Sequence, residues 1–270
     1  MLFCRDLRQS QPRVVVVAND HSPAAVALIA LTIEMDLPCV YVQHGPVSDS
    51  FPPLNVDLAI LHNVVSRDRY DSASKRIGGS RSSRVAILPP FKGPSCSIRR
   101  PAAPYQICIA LSFFPDIPQI SALVVALRDR GDVAKITISR HPRCVADLSE
   151  LAGHGAEIID SGTTTLEIAR KVDLCIVANS GVGLEYLHEG CPTFDLAPSD
   201  PVLDDYYGFV AAGLLTRFDM GLLDQPSRIS AAFDLEWQER FAQFDPTLTQ
   251  SVADLESHVR AEVLALLARS

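Results

Sequence analysis

The sequence predicts an α/β protein built from two Rossmann-like parallel sheets, the first of them short. Three observations predict it. Short apolar runs rich in valine and isoleucine alternate with segments of helical spacing, the pattern of repeated βα units. The stretch PPFKGPSCSIRRPAAP at 89–104, with five prolines and no periodicity, divides that alternation into two halves. At 270 residues and 47% hydrophobic, the chain has enough apolar surface for one large core or two modest ones.

In the first half, residues 13–18 (RVVVVA) form a continuous β-branched run, read as a strand buried on both faces of a parallel sheet. The polar turn NDHS follows, and Pro23 suits the first position of a helix over 24–35. A second strand at 38–42 empties into Gln43, His44, Gly45 and Pro46. A third at 57–61 ends at His62 and Asn63, a helix over 66–77 is stopped by Gly78 and Gly79, and a fourth strand occupies 85–88.

The second half opens with a strand at 105–111, a helix over 117–130 and a strand at 133–139 that runs into Arg140, His141, Pro142 and Arg143. A helix over 145–152, a strand at 156–159, a turn at 160–162 and a helix over 163–171 come next. Then comes VDLCIVANSGVGLEYLHEGCPTFDL at 172–196: strand, small-residue turn, helix, a stop at Gly190, Cys191 and Pro192, and a parallel strand. Beyond it the pattern predicts a loop at 198–201, a helix over 204–213, a short strand at 214–217 and a mainly helical tail over 225–267.

A formal net charge of -8 argues against nucleic acid as the main partner, since neutralising phosphates needs a basic face. The seven cysteines are odd in number and show no CxxC spacing. Buried free thiols in a reducing compartment are therefore expected, with neither a zinc site nor a disulfide framework. Residues 1–13 lack an apolar segment of secretory type, and the longest apolar stretch, 23–35, is too short to span a bilayer. A soluble, cytoplasmic protein is expected, with peripheral membrane association left open.

Parallel sheets bind ligands at the carboxyl ends of their strands, and sorting polar residues by that rule identifies candidates. The first half offers Asn19, Asp20, His21, Gln43, His44, His62 and Asn63; the second offers Ser112, Arg140, His141, Arg143, Ser161, Asn179, Ser180 and Asp195. Their clustering predicts a site in a cleft between two lobes. His141 and Pro142, with Arg140, could face the turn of Asn179, Ser180, Gly181 and Val182 as a two-sided phosphate clamp, a cationic loop opposite a helix N-terminus. Glu185 follows one turn later, within reach of a ligand's hydroxyls. The plainer alternative is a surface turn at His141-Pro142 and a helix cap at Asn179 and Ser180. His44, next to Gly45 at a strand end, suits proton transfer, and Asp20 is the rival base. A metal held by Asp20, His21 and His44 is disfavoured because no third hard ligand has suitable spacing. Small hydroxyl residues at 161–165 (SGTTT) are expected to cap a helix.

Together, VYVQHG, SRHPR and DLCIVANSGVGLEYLHEGCPTFDL resemble the landmarks of GT-B glycosyltransferases of bacterial capsule and surface polysaccharide synthesis, such as CDP-glycerol glycerophosphotransferases and polysialyltransferases. The resemblance implies a base at His44, a donor-phosphate contact at His141 and Pro142, and donor contacts at Ser180, Gly181 and Glu185. Where those families carry a paired serine, this chain has Ser180-Gly181. The implied organisation is a short or truncated acceptor lobe at 1–90, a linker at 91–104 and a nucleotide-donor lobe with a helical tail at 105–270. The implied activity is metal-independent transfer of a glycosyl or glycerophosphate group from a CMP-, CDP- or UDP-linked donor to a saccharide hydroxyl, with no resident cofactor. A non-hydrolysing UDP-sugar 2-epimerase is the rival within the fold. A non-catalytic binding or partner protein is the rival outside enzymes.

Overall fold

The computed structural model describes residues 2–78, 83–159, 162–196 and 204–268. It divides into two compact units, one formed by 1–93 with 243–270 and the other by 94–242. No helix among the described residues is long and apolar enough to cross a membrane.

The first unit contains helix α1 (Leu2–Ser10), strand β1 (Val15–Val17), α2 (Pro23–Glu34), β2 (Cys39–Val42), β3 (Leu58–Leu61), α3 (Val64–Ile77) and β4 (Arg84–Ile87). Its four strands lie in sequential order, all parallel. Helix α1 falls where the periodicity predicted no element; its Leu7 packs on the core formed by one face of the sheet. The β-branched run is shorter than predicted and is not buried on both faces. As the edge strand, β1 leaves Val16 60% exposed, while Val15 and Val17 face the core. Helix α2 is capped as expected, with Pro23 at its start and Ser22 Oγ accepting from the Ala25 N–H.

The second unit contains β5 (Tyr105–Ala110), α4 (Ile117–Arg128), β6 (Val133–Ser139), α5 (Ser149–Gly153), β7 (Glu157–Ile159), α6 (Thr165–Ala169), β8 (Leu174–Val177), α7 (Val182–His188) and β9 (Thr193–Asp195). The order is β7-β6-β5-β8-β9, again all parallel. This places β5, buried except for Gln106, at the centre, with Ile107, Ile109 and the following Leu111 in the main core beside Ile120, Ile138 and Ile176. Helices α8 (Gly221–Asp224), α9 (Pro226–Ala231) and α10 (Leu235–Phe244) close the unit, whose limit falls inside α10.

The tail does not stay with the second half, as the sequence pattern suggested. Helix α11 (Val252–Leu267) lies on the far face of the first sheet, where Leu266, Val259 and Val263 pack with Val40, Leu58, Ile60 and Ala86. An Arg84–Glu262 ion pair at 2.8 Å and an Arg13 bond to the Leu267 carbonyl at 3.1 Å secure it. The sheet face left bare by α2 and α3 thereby gains its apolar cover.

Two helices predicted in the second half are corrected. Over 145–152 only Ser149–Gly153 is helical, because Arg140 binds the carbonyls of Cys144 and Ala146 and Asp147 takes the Ser149 N–H, which leaves the preceding loop extended. Over 204–213 the chain forms turns. Asp205, at φ +44°, accepts from the Val210 and Ala211 N–H groups, and Gly208 and Gly213 also take positive φ, which no α-helix accommodates. The short strand expected at 214–217 is reduced to one bridge between Asp195 and Arg217. The expected loop at 198–201 and the turn residues 160–161, Ser161 included, lie outside the described residues. The capping expected of the SGTTT tract falls to Thr164, whose hydroxyl and N–H form a reciprocal box with Glu167.

Candidate functional site

Each unit brings a group of chemistry-bearing residues to the carboxyl edge of its own sheet. In the first unit the centre is Asp20, buried at 6% exposure in the loop after β1. Asn19 shapes that loop, its Oδ1 accepting from the N–H groups of His21 at 3.1 Å and Ser22 at 2.8 Å. Asp20 Oδ1 then lies 3.0 Å from His21 Nδ1, and its Oδ2 accepts from the Tyr70 hydroxyl at 2.6 Å. The Tyr41 and Tyr70 hydroxyls are 3.2 Å apart. Burial, followed by the neighbouring Asp20 charge for Tyr41 and by Tyr41 and Asp20 for Tyr70, holds both phenols above their ordinary range, so they stay protonated donors. Because a carboxylate only accepts, His21 Nδ1 carries the proton toward Asp20, and in the neutral imidazole this tautomer leaves Nε2 as the acceptor. The His21 side chain is 41% exposed, with the Phe51 ring packed against it at 4.7 Å.

His44, the base that the sequence favoured, is exposed in the next loop and stacks on His21 with ring centroids 6.4 Å apart. Among the described residues no hydrogen bond orients its ring. Its neighbour Gln43 is buried and fully occupied: Nε2 donates to the Gly45 carbonyl and Ser66 Oγ, and Oε1 accepts from the His62 N–H. Gln43 therefore shapes the loop that displays His44. Burial pushes the His62 imidazole down to about 4, with His44 adding to the shift, so His62 is neutral at physiological pH. Asp20, the rival base, has both oxygens engaged and acts on its surroundings through His21. Among the described residues no three His, Cys, Asp or Glu side chains are placed to hold a metal ion.

In the second unit, the loops after β6 and β8 flank the end of central β5. Ser112, just past β5, is 4% exposed, and among the described residues its hydroxyl has no hydrogen-bond partner. An unsatisfied buried hydroxyl is costly, which makes Ser112 Oγ a candidate group of the site. The sequence marks it only as a polar residue at a strand end. His141 Nδ1 accepts from the Arg143 N–H at 3.1 Å, which requires the neutral tautomer with Nε2–H free to donate. Burial and the Arg143 charge lower the His141 pKa, in keeping with that tautomer. Pro142 and Arg143 are exposed, and the Arg143 guanidinium sits 4.5 Å over the Phe113 ring. Arg140 turns its Nη1 into its own loop, where it braces the segment carrying His141.

The turn after β8 is not a simple side-chain cap. Gly181 is the N-cap residue of α7 and no side chain caps it. Asn179 adopts φ +46° and its Oδ1 accepts from the Tyr206 N–H at 3.0 Å, tying the turn to the segment after residue 203. Ser180 Oγ accepts weakly from Val182 N at 3.5 Å, and among the described residues the N–H groups of Ser180 and Gly181 have no acceptor. With a helix of only seven residues behind them, these local donors matter more than the helix dipole. Glu185 is exposed on the first turn. Asp195 at the end of β9 is buried, which pushes its carboxyl up to about 6 against the opposing pull of Arg217, and Arg217 also grips Asp204.

The chain matches no protein-family model, and no curated protein matches it. Its fold is similar to that of several solved glycosyltransferases. The pneumococcal O-GlcNAc transferase GtfA, solved in complex with UDP and GlcNAc, aligns with a TM-score of 0.57 at 12% identity, over 98% of this chain and 59% of that one. The calicheamicin glycosyltransferase CalG4 aligns at 0.55 and 15% identity, over 97% and 78%. The spinosyn rhamnosyltransferase SpnG, complexed with spinosyn aglycone, aligns at 0.53 and 18% identity, over 96% and 76%. The two-sheet α/β fold is thus that of the GT-B glycosyltransferases. The chain spans about three fifths of the length of GtfA.

Proposed function

We propose that this chain is a glycosyltransferase that moves a sugar from a nucleotide-activated donor to an acceptor hydroxyl. The observation that carries the reading is the Asp20–His21 pair, a buried carboxylate holding an exposed imidazole, on a fold shared with glycosyltransferases. His21 Nε2 takes the proton from the acceptor hydroxyl. The freed oxygen bonds to the anomeric carbon of the donor as that carbon's bond to the nucleotide diphosphate breaks. Asp20 fixes the imidazole tautomer and stabilises the imidazolium that forms, so it is a positioning residue. His44 is the second candidate for the base.

The leaving diphosphate gains negative charge, and the second unit supplies neutral donors for it: the Ser180 and Gly181 N–H groups, His141 Nε2–H and the Ser112 hydroxyl. Pro142 and Val182 shape these two loops, and Glu185 is placed to bind a sugar hydroxyl. The motif resemblance favours CMP- or CDP-linked donors and glycerophosphate as well as glycosyl transfer; the UDP bound by GtfA supports a UDP-linked sugar, which we place first. Surface polysaccharide synthesis remains the proposed pathway, and a soluble cytoplasmic enzyme without a resident cofactor the proposed setting.

A thermal-shift series with UDP, CDP and CMP, paired with a transfer assay, tests the reading. UDP should raise the midpoint of the wild type, and His141→Ala and Ser112→Ala should lose most of that shift. His21→Ala should reduce transfer by about 100-fold or more and His44→Ala by much less. If no nucleotide stabilises the protein, the transferase reading fails and a non-catalytic role replaces it. If a UDP-sugar equilibrates with its epimer without any acceptor, the epimerase replaces it.

A further inference from the structure

The loop between β2 and β3 is braced along its length. Val47 and Ser48 are buried, and Val47, Leu54 and Val56 join the same core as Ile29 of α2. Two arginines of α3 pin the loop. Arg69 donates from Nη1 to the Val47 carbonyl and pairs through Nε with the Asp49 carboxylate at 3.5 Å, and Arg76 donates to the Asp49 carbonyl at 2.9 Å. The Phe51 N–H closes a turn on the Ser48 carbonyl at 3.2 Å, and Pro52 disfavours a helical backbone at Phe51. This bracing delivers one ring. Phe51 packs on the apolar core, lies with its centroid 4.7 Å from the His21 imidazole and meets Tyr70 edge-on at 6.5 Å. Tyr70 also donates to Asp20 at 2.6 Å. A single helix, α3, therefore fixes the carboxylate that bonds His21 through Tyr70, and the ring beside His21 through Arg69 and Arg76.

The imidazole has use for both. Its hydrogen bond from Nδ1 to Asp20 Oδ1 sets the tautomer but leaves the ring able to pivot about that contact. The side chain is 41% exposed, and the only other ring recorded beside it, His44, is more distant, at 6.4 Å. A histidine released from its neighbours samples three χ1 wells and two broad χ2 orientations, about six arrangements in all. A ring packed against the imidazole occupies volume that several of those arrangements would sweep.

We propose that Phe51 is a positioning residue for proton transfer: its ring holds the His21 imidazole in the orientation that keeps Nδ1 on Asp20 and Nε2 pointing in one direction. The inference rests on the reading of His21 as the base. Because Phe51 acts on orientation and not on substrate binding, its loss lowers kcat and leaves KM in place.

The test uses the full chain with isotope-labelled histidine ring nitrogens, and His21→Gln assigns the His21 signals. Couplings between the carbon-bound ring protons and the ring nitrogens report the tautomer and need no turnover. At about pH 8, where an imidazole is neutral, the wild type should show the Nδ1–H tautomer alone. Phe51→Leu keeps apolar bulk on the core but removes the ring, and should show a mixture with the Nε2–H form that a free imidazole favours. Phe51→Tyr should restore the single tautomer. UDP release from UDP-glucose, with methyl α-glucoside as acceptor, gives the second readout. Phe51→Leu should lower kcat about threefold to sixfold, the share of arrangements lost, with KM changed by less than about twofold. Three results overturn the proposal: an unchanged Nδ1–H tautomer in Phe51→Leu, mixing in Phe51→Tyr as large as in Phe51→Leu, or a raised KM at unchanged kcat. If the tautomers respond as expected while His21→Ala releases UDP as fast as the wild type, the base reading fails and takes the role of Phe51 in transfer with it, so the two failures are told apart.

Discussion

The Asp20–Tyr70 bond offers the sharpest test of the first unit's architecture. Tyr70→Phe deletes one hydroxyl, in a side chain whose residue is 2% exposed, and removes the 2.6 Å donor to a carboxylate that is itself buried. A hydrogen bond to a charged group contributes about 1.5–3 kcal/mol, and here its loss also leaves Asp20 Oδ2 unsatisfied. The expected cost is therefore about 2–3 kcal/mol. At about 2–4 °C per kcal/mol for a chain of this size, the melting midpoint should fall by roughly 5–10 °C. Urea unfolding followed by far-UV circular dichroism measures the cost directly. The decisive comparison is the double-mutant cycle with Asp20→Ala. Once the carboxylate is gone, Tyr70→Phe should cost about 1 kcal/mol or less, giving a coupling energy of about 1–2 kcal/mol. An equal cost in both backgrounds would refute the bond as the source of the effect, and with it the claim that Tyr70 holds Asp20 in place for His21.

Other expectations follow from single features. His62 is pushed down to about 4 in the fold, so the unfolded chain protonates first; stability should be level above about pH 7 and fall as pH drops from 6.5 to 4, by up to about 3 kcal/mol, and His62→Gln should flatten that part of the profile. Asp195, raised to about 6, acts with the opposite sign: its contribution is complete below about pH 4 and is lost as pH rises through 6, so Asp195→Asn should relatively stabilise the protein at pH 7 if the Arg217 contact survives. Gly190, at φ +71°, has the Ser97 carbonyl oxygen in clashing distance of where a Cβ would stand, so Gly190→Ala should cost about 3 kcal/mol or more in urea unfolding. Leu266→Ala should cost about 2–4 kcal/mol by opening the contact between α11 and the first sheet, whereas Leu264→Ala, at a 56% exposed position of the same helix, should stay within about 0.5 kcal/mol.

Most of the strands were legible in the sequence because their signal is local. Val and Ile runs bounded by Gly, Pro and Asn mark β5, β6 and β8 without reference to anything distant. The unit from β8 through α7 to β9 was legible for the same reason, down to the stop at Gly190. What failed was also local in origin. The helix expected at 204–213 does not form, because Asp205 and two left-handed glycines impose turns that spacing alone does not reveal.

The candidate site divides along the same line. The sequence identified the strand ends, and so Asp20, His44, His141, Ser180 and Gly181, because in a parallel sheet every strand delivers its carboxyl end to one edge. It favoured His44, with Asp20 as the rival, and did not weigh His21 as a base, whose pairing with Asp20 depends on Tyr70, fifty residues away, fixing the carboxylate. It gave Ser112 only as a polar residue at a strand end, because the lack of a partner for its hydroxyl among the described residues depends on the packing around β5.

By itself, then, the sequence determined the class of fold, the alternation of strands and helices, and the edge of each sheet where polar residues gather. All of these follow from side-chain periodicity and turn chemistry within a few residues. Only the tertiary structure decided that β1 is an edge strand, that α11 covers the first sheet and that Asp20 orients His21. Those outcomes depend on which apolar faces and hydrogen-bonding groups meet across long separations in the chain, and no local window of sequence contains both partners.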